Sequence, residues 1–587
     1  MVIAFRERAV EETYYADSVM ELRAAEIPDH VNEIFVRGYY GLGTIGGGTL
    51  LVDRTDTDSL DDNGSVLVSG NQIRCKRQFD NIVSVADFGA KPDGLTDASS
   101  AFQSAIDYVK SSKGLAVFIP DGAYLITTTL DLTYSGVAAG LETGYYGVKI
   151  IGENYRHCRV IANTTGQPVF DLTGSTRGEL SNFQIEHSAD DTSNPSVGIL
   201  LSRNLNNEYG GGHRIENIGI FGYFNTAQIY CISSEVNVFK GLRLDNFRDN
   251  SYGLALHEQN VANVTSPYVA GLDTHTFTGG NTRNSFYDLE ILSLGQNSFC
   301  LSIEEADTTL ILNSYTKVSQ AGSVGVEFMR TVNNLDVLNT RDESDAGTSW
   351  LLRNGCTLSC YLTGRLRAGL IGEDNTNLAN SNILLGEILT AGSLSVDLYD
   401  AKDSNIKGYT SDVRIRNSAN NINLLSPILE TSLDIPHGSV GVQVLYRYLG
   451  GLSSYNTNQF GNSSFDRLLL PRTTVTGLSA KRQYPDTTAS PLVADLNDGS
   501  IIILNLQNGL SINNFLNDSP LTGEIPPRVT MIFIQNSAGG HGVSLNAVFF
   551  ETFGATVDTA ANAITVMEFE KIDFKNDGAT VKWIKVN

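Results

Sequence analysis

Cysteine, tryptophan and methionine are scarce in this chain: six, two and five among 587 residues. The cysteines, at 75, 158, 231, 300, 356 and 360, form no metal-ligand set with histidine. Cys231 and Cys300 fall in equivalent stretches and read as packed or exposed thiols rather than disulfide partners. Basic residues are also few. Lys and Arg number 41 against 65 Asp and Glu, a formal charge of −24, which argues against nucleic acid or an anionic membrane as partner. No run of 18 apolar residues occurs, and residues 1–15 are charged with no apolar centre. Neither a signal peptide nor a membrane span is expected. Synthesis in a cytosol is expected, with exit by cell lysis or by assembly into a particle. Helix-forming bias is low, whereas glycine, at 56, is plentiful and Asn, Ser and Thr abound, which favours an all-β protein.

Among what is present, a short phrase repeats: a polar residue, often Asn, then an aliphatic one, then alternation. It is read at Lys149-Ile150, Asn182-Phe183, Asn217-Ile218, Gly241-Leu242, Asn263-Val264, Asp288-Leu289, Ile311-Leu312, Asn334-Leu335, Thr357-Leu358, Asn382-Ile383 and Asn405-Ile406. Successive apolar positions lie 33, 35, 24, 22, 25, 23, 23, 23, 25 and 23 apart, so one short unit is stacked many times. Ile215, Ile218 and Ile220, or Phe286, Leu289 and Ile291, alternate as strands do, without the leucine offsets of a leucine-rich repeat. The unit is therefore one coil of a parallel β-helix with three short strands, stacked ~4.8 Å from its neighbours. Asn recurring at the rung is expected to form a structural polar ladder at a bend.

The length admits two to four domains. Residues 1–80 read as an N-terminal head or adaptor, with a capped helix near Ser18. Residues 81–440 read as the β-helix with, near its N-terminal end, an amphipathic helix at 98–110 whose Ala101, Phe102, Ala105, Ile106 and Val109 share one face. That helix is expected to cap the open end of the solenoid. Pro471, Pro485 and Pro491 punctuate a linker at 441–490, and 491–587 reads as an antiparallel β-sandwich.

Val83-Ser84-Val85-Ala86-Asp87-Phe88-Gly89-Ala90-Lys91-Pro92-Asp93-Gly94-Leu95-Thr96-Asp97, with Phe102-Gln103-Ser104-Ala105-Ile106 and Phe118-Ile119-Pro120-Asp121-Gly122, resembles the entry to pectate-lyase-like right-handed β-helices. It is similar above all to the version in bacteriophage tailspikes that depolymerise capsules. Phe35-Val36-Arg37-Gly38-Tyr39-Tyr40 through Gly46-Gly47-Gly48-Thr49-Leu50 resembles the head of such depolymerases. Ile534-Gln535-Asn536-Ser537-Ala538-Gly539-Gly540-His541-Gly542-Val543 resembles a C-terminal tail-protein sandwich that aids trimer assembly or binds carbohydrate. The resemblance implies a homotrimer on a virion, a bacterial capsular polysaccharide as substrate, and docking to other tail proteins through the N-terminal segment. It marks the fold and no particular chemistry.

For the chemistry, the rungs serve as a ruler. Glu235 lies 7 before Leu242, Glu258 lies 6 before Val264 and Glu305 lies 7 before Leu312, which predicts one column of acids with Glu304 and Asp307 beside it. Asp273 and His275 lie on an insertion between two of these coils. Stacked like charges need an offset, either protonation of one member or a carboxylate pair such as glycoside hydrolysis uses. The competing reading is a solvated acidic face. Asp97 and Asp107 read as structural. His257 reads as an acid/base, a sugar contact or a surface residue. Tyr252 and Tyr268 are candidate sugar-stacking rings. Trp350 with Arg341, Arg353, Arg365 and Arg367 is a candidate binding patch, nearly cancelled by Asp336, Asp342, Glu343 and Asp345. The Ca²⁺ set of pectate lyases is not evident, and no metal or cofactor is assigned. Glycosidic hydrolysis is the first expectation. The alternatives are elimination at a uronate, a non-cleaving adhesin and, more remotely, a deacetylase.

Overall fold

The computed structural model describes residues 13–353 apart from 113–114, 134–146, 206–209, 275–280 and 305, and beyond 353 the backbone of strands within 357–584. The chain forms two compact units, Met1–Ile371 and Gly372–Asn587.

The first unit opens with a five-stranded sheet in the order Tyr14–Ala16, Glu33–Val36, Gly48–Asp53, Arg74–Arg77, Val66–Val68. Helix Val19–Ala24 packs on it, with Ser18 as the N-cap accepting from the Glu21 N–H, as the sequence predicts. Ile34, Val36, Leu50, Leu67 and Cys75 fill its core. The expected capping helix runs over Ser99–Ser111 and buries Ala101, Phe102, Ala105, Ile106 and Val109. Phe102 meets Tyr124 of the solenoid edge-on at 5.4 Å, which closes the apolar end.

The body is a parallel β-helix with three strands per coil, as expected. Its first ladder stacks Val83, Val117, Ile150, Leu180, Ile215, Phe239, Phe286, Ile311 and Val337, one per coil and all buried. The second stacks Tyr124, Val160, Ile185, Ile220, Leu244 and Ile291, then turns polar with Thr316 and Asp342. The third stacks Phe170, Ile199, Ile229, Leu254, Leu301, Val326 and Trp350. Each apolar side chain covers the one below it, so the core is a column rather than a ball.

The polar bend between the first two ladders is real. Asn182, Asn217, Gly241, Asp288, Asn313 and Asn339 all adopt positive φ, a region that favours Gly, Asn and Asp. Asn217 Nδ2 donates to Asn182 Oδ1 at 2.7 Å, and Asn339 Nδ2 to Asn313 Oδ1 at 2.8 Å. Two expected rungs after Asp288 shift, since the bends fall at Asn313 and Asn339 and not at Ile311 and Asn334. Asn263-Val264 is no rung at all. Strand Val238–Lys240 pairs directly with Ser285–Tyr287, so one coil spans the 47 residues from Gly241 to Asp288. Residues 258–281 are an insertion whose length imitates a coil.

In the second unit, strands Asn382–Glu387, Val396–Tyr409, Asp412–Ile428, Val440–Tyr448 and Ser464–Leu469 pair in parallel, with Ile383 opposite Ile406 as the repeat predicts. The stretch 441–490, expected as a linker, thus carries paired strands. The terminal region is a six-stranded and a three-stranded sheet, not a purely antiparallel sandwich. Leu492–Asp495, Leu510–Leu516 and Val543–Leu545 fall in one sheet, and Ile501–Leu506 and Arg528–Gln535 in the other. A chain that visits two sheets alternately enters each in the same direction, which makes neighbours parallel. Among the described residues of this region, only Arg528–Gln535, Ile564–Asp573 and Gly578–Ile584 pair antiparallel.

The four cysteines of the described residues, Cys75, Cys158, Cys231 and Cys300, are free and buried. Burial pushes the thiols of Cys75 and Cys300 up to about 12 and that of Cys158 up to about 11.

Candidate functional site on the third ladder

The insertion lies on the third ladder. Val264 and Leu272 pack on Val197, Leu200, Ala227, Tyr230, Ile232 and Ala255. Asn260 holds the insertion in shape, accepting from Val264 N–H at 2.9 Å and donating to the carbonyls of Val264 and Leu272. Ser266 bonds the fully buried Asp171 carboxyl, and Tyr268 Oη donates to the Thr129 carbonyl at 2.9 Å. Burial raises the Asp171 pKa. The insertion thus covers the earlier coils of this face.

Beyond it, strands Tyr252–His257, Phe299–Ile303, Val324–Phe328 and Thr348–Leu352 carry a polar cluster. His257 is buried, with Nδ1 against Tyr230 Oη and Nε2 against Ser302 Oγ, both at 3.1 Å. Ser302 donates to Glu327 at 2.8 Å, and Glu327 accepts from Arg353 Nε at 2.5 Å. Burial first, then the Arg330 charge, push His257 down to about 3, so it is neutral at ordinary pH. Glu304, one residue past its strand, is buried. Its carboxylate accepts the Glu258 N–H at 2.9 Å and faces Arg330 Nε at 3.2 Å. Glu258 meets the same guanidinium through Nη1 at 3.1 Å. Two carboxylates from adjacent coils therefore share one half-exposed arginine.

The strands bend, so their two ends approach. The Tyr252 ring sits 5.1 Å from Phe299 and 5.3 Å from His257, and the Arg353 guanidinium lies 5.9 Å from the Phe299 ring. Side chains from strand starts and strand ends thus line one cradle, half-buried rings on one side and carboxylates with arginines on the other.

Of the acids predicted as one column, the structure brings Glu258 and Glu304 together and separates Glu235. Register pairs Ile232 with His257, so Glu258 aligns with Ser233 and not with Glu235. Glu235 is bonded to Arg203 Nη2 at 2.5 Å and accepts from Thr282 Oγ1 at 2.6 Å. The false rung at Val264 produced the misalignment, and arginines of nearby coils face the acids: Arg203 meets Glu235, and Arg330 meets Glu258 and Glu304. Asp307 pairs in a short outer ladder with Thr282, and Asp273 is half-buried in the turn Leu272–Thr274. His275 and Glu305 lie outside the described residues. Trp350 is no platform: it is fully buried, edge-on to Phe328 at 6.4 Å. Arg341 pairs with Glu343 two residues on. His257 is not a surface residue. Sequence reasoning missed Glu327, Ser302, Phe299 and Arg330. A lone acid in the apolar run Val324-Gly325-Val326-Glu327-Phe328 was the available signal. Among the described residues, no group of three or more His, Cys, Asp or Glu side chains could hold a metal ion.

Comparison with known proteins places the three parts. Residues 15–80 match the family model of a phage tail protein small four-stranded β-sheet domain. Residues 82–194 match the rhamnogalacturonase A/epimerase, pectate lyase-like family, and 485–570 a phage tail fibre C-terminal domain. The chain combines two phage tail protein domains with a pectate-lyase-like β-helix. Its two tail domains place it in the tail of a virion. The chain is 30% identical to a Mu-like prophage defective tail fibre protein of Haemophilus influenzae over 139 residues, 23% of its own length. It spans only 22% of that curated relative's length. Among solved structures, it is similar to the tailspike gp49 of Acinetobacter baumannii bacteriophage Fri1, a capsular polysaccharide depolymerase. That match has 13% identity and a TM-score of 0.46, covering 98% of this chain and 92% of the other. The gp42 tailspike of Acinetobacter phage vb_AbaP_AS12 gives 12% identity and 0.44, with 98% and 94% covered.

Proposed function

We propose that this chain is a phage tailspike that binds a bacterial surface polysaccharide in the cradle of the third ladder and hydrolyses its glycosidic bonds. The observation that carries the reading is the pair Glu258 and Glu304 around Arg330, beside the Tyr252–Phe299 rings. Glycoside hydrolysis needs two carboxyl groups flanking the bond, and adjacent coils set backbones ~4.8 Å apart. Glu304, fixed by a backbone N–H and by Arg330, serves as nucleophile or base. Glu258, closer to solvent, serves as the acid. Family resemblance adds a homotrimer standing on the tail, with the capsule as polymer.

The test is the release of oligosaccharides from purified capsule polysaccharides, read by mass spectrometry. Products that have gained one water across the cut bond support hydrolysis. Products lighter by that water, absorbing in the ultraviolet, would move the reaction to elimination. Unchanged polymer size after prolonged incubation would leave an adhesin.

A further inference from the structure

We infer that the sugar unit seated in the cradle carries no charge. The inference rests on the depolymerase reading and names the substrate class for that site. Its ground is the charge inventory of the cradle. Among the described residues, Glu258, Glu304 and Glu327 bring three carboxylates, and Arg330 and Arg353 bring two guanidiniums. The sum, −3 + 2, is −1. Each guanidinium already faces carboxylates of its own chain: Arg330 faces Glu258 and Glu304, and Arg353 faces Glu327. Glu304 and Glu327 are almost fully buried, with side chains 2% and 3% exposed, so water screens little of their charge. His257, Tyr230 and Tyr252 are further titratable rings at this place, and burial favours the neutral form of each, lowering the histidine and raising the tyrosines. The surrounding chain repels anions too, with its net charge of −24.

A uronate entering here would meet net repulsion and would have to break an internal ion pair to gain a cation. Elimination at a uronate demands more, since the sugar carboxylate must be neutralised while the neighbouring proton leaves. A neutral pyranose meets neither obstacle. Its hydroxyl groups can bond Glu258 and the two guanidiniums in place, and its C–H face fits the Tyr252–Phe299 pair, whose rings lie 5.1 Å apart at 27°.

The experiment compares acidic capsule polysaccharides with their carboxyl-reduced forms, in which each uronate has become a neutral sugar, using the unmodified full chain. Cleavage is read by mass spectrometry and binding by retention on immobilised polymer. Reduction is expected to leave cleavage unchanged or raise it by about tenfold, with the cut bond flanked by neutral sugars. A cut placed beside a uronate, with cleavage lost tenfold or more on reduction, overturns the inference and leaves the depolymerase reading standing. Retention of neutral polymers without shortening overturns the depolymerase reading and leaves the preference standing. Failure to retain or cut any polymer, acidic or reduced, sinks both. Glu327→Gln supplies an independent arm, because removing one carboxylate should increase retention of acidic polymers. An unchanged or lower retention by a folded variant counts against the charge argument.

Discussion

At the residue scale the site turns on groups that are one atom different from harmless ones. Glu304→Gln and Glu258→Gln keep the shape of the side chain and remove the charge. Each is expected to lower polysaccharide cleavage by about 10²-fold or more, with circular dichroism unchanged. Glu235→Gln, away from the cradle, should leave cleavage within about twofold. Full activity in both cradle variants would discard the assignment. Arg330→Ala leaves buried Glu304 without its counter-charge. Because Arg330 is 48% exposed, the loss is discounted to about 1–3 kcal/mol in denaturant unfolding. Glu258 and Glu304 were legible in the sequence as acids following apolar strands. Trp350 was misread for a definite reason. Alternation assumes that consecutive residues face opposite ways, yet the strands bend at this corner. Ser349 bonds the interior Asp342, and its neighbour Trp350 is buried as well. On an earlier coil, a Cβ on Gly253 would lie 2.6 Å from Ile291, so Gly253 too faces inward beside buried Leu254. Period-two reasoning fails wherever a strand turns a corner.

At the scale of the element, the bend and the insertion behave oppositely. The bend is fixed by backbone conformation, and its rule is readable: Asn, Asp or Gly at positive φ. At Gly241, with φ 62, a Cβ would meet nothing closer than 3.8 Å, so Gly241→Asn should be tolerated within about 0.5 kcal/mol. Gly241→Val should cost about 1–2 kcal/mol in thermal or chemical unfolding, since a β-branched residue resists that region. The insertion is held by few contacts that no periodicity announces. Ser266→Ala deprives the buried Asp171 carboxyl of a partner and should cost about 1–3 kcal/mol. Asp171 has a raised pKa, so the native state holds its proton more tightly than the unfolded chain. Its contribution is full below the ordinary carboxylate value of 3.8 and fades as pH rises through the raised value. Asp171→Asn should flatten that part of the stability profile measured between pH 4 and 8. An unaltered profile would show that Asp171 does not govern it.

At the scale of the whole molecule, stacking and charge dominate. Length, alternation and the entry phrase made the β-helix and its cap legible, because each coil repeats the same burial. The terminal sheets were less so: strand composition reveals strands but not which sheet each one enters. Two buried histidines weigh against the stability of the first unit in acid. Burial holds His213 at about 4 and His257 at about 3, both below the ordinary 6.5. Groups depressed in this way contribute stability above 6.5 and lose it as pH falls toward the folded values, the reverse of Asp171. Melting temperatures are expected to drop between pH 6.5 and 4, and His257→Gln should shrink the drop. Salt should raise the melting temperature at neutral pH, since screening relieves the self-repulsion of a chain at −24. A flat response between 10 and 150 mM salt would contradict this.

The buried thiols carry a consequence for the life of the particle. A tail protein is assembled in the reducing interior of a cell and then works outside, where oxidants abound. Thiolate is the species that oxidants and alkylating agents attack. Cys75, Cys158 and Cys300 ionise only near 11 to 12 and are screened from solvent, so almost no thiolate is offered at neutral pH. This part of the chain would therefore cross from one redox world to the other chemically unmarked, neither needing a covalent staple outside nor acquiring an accidental one.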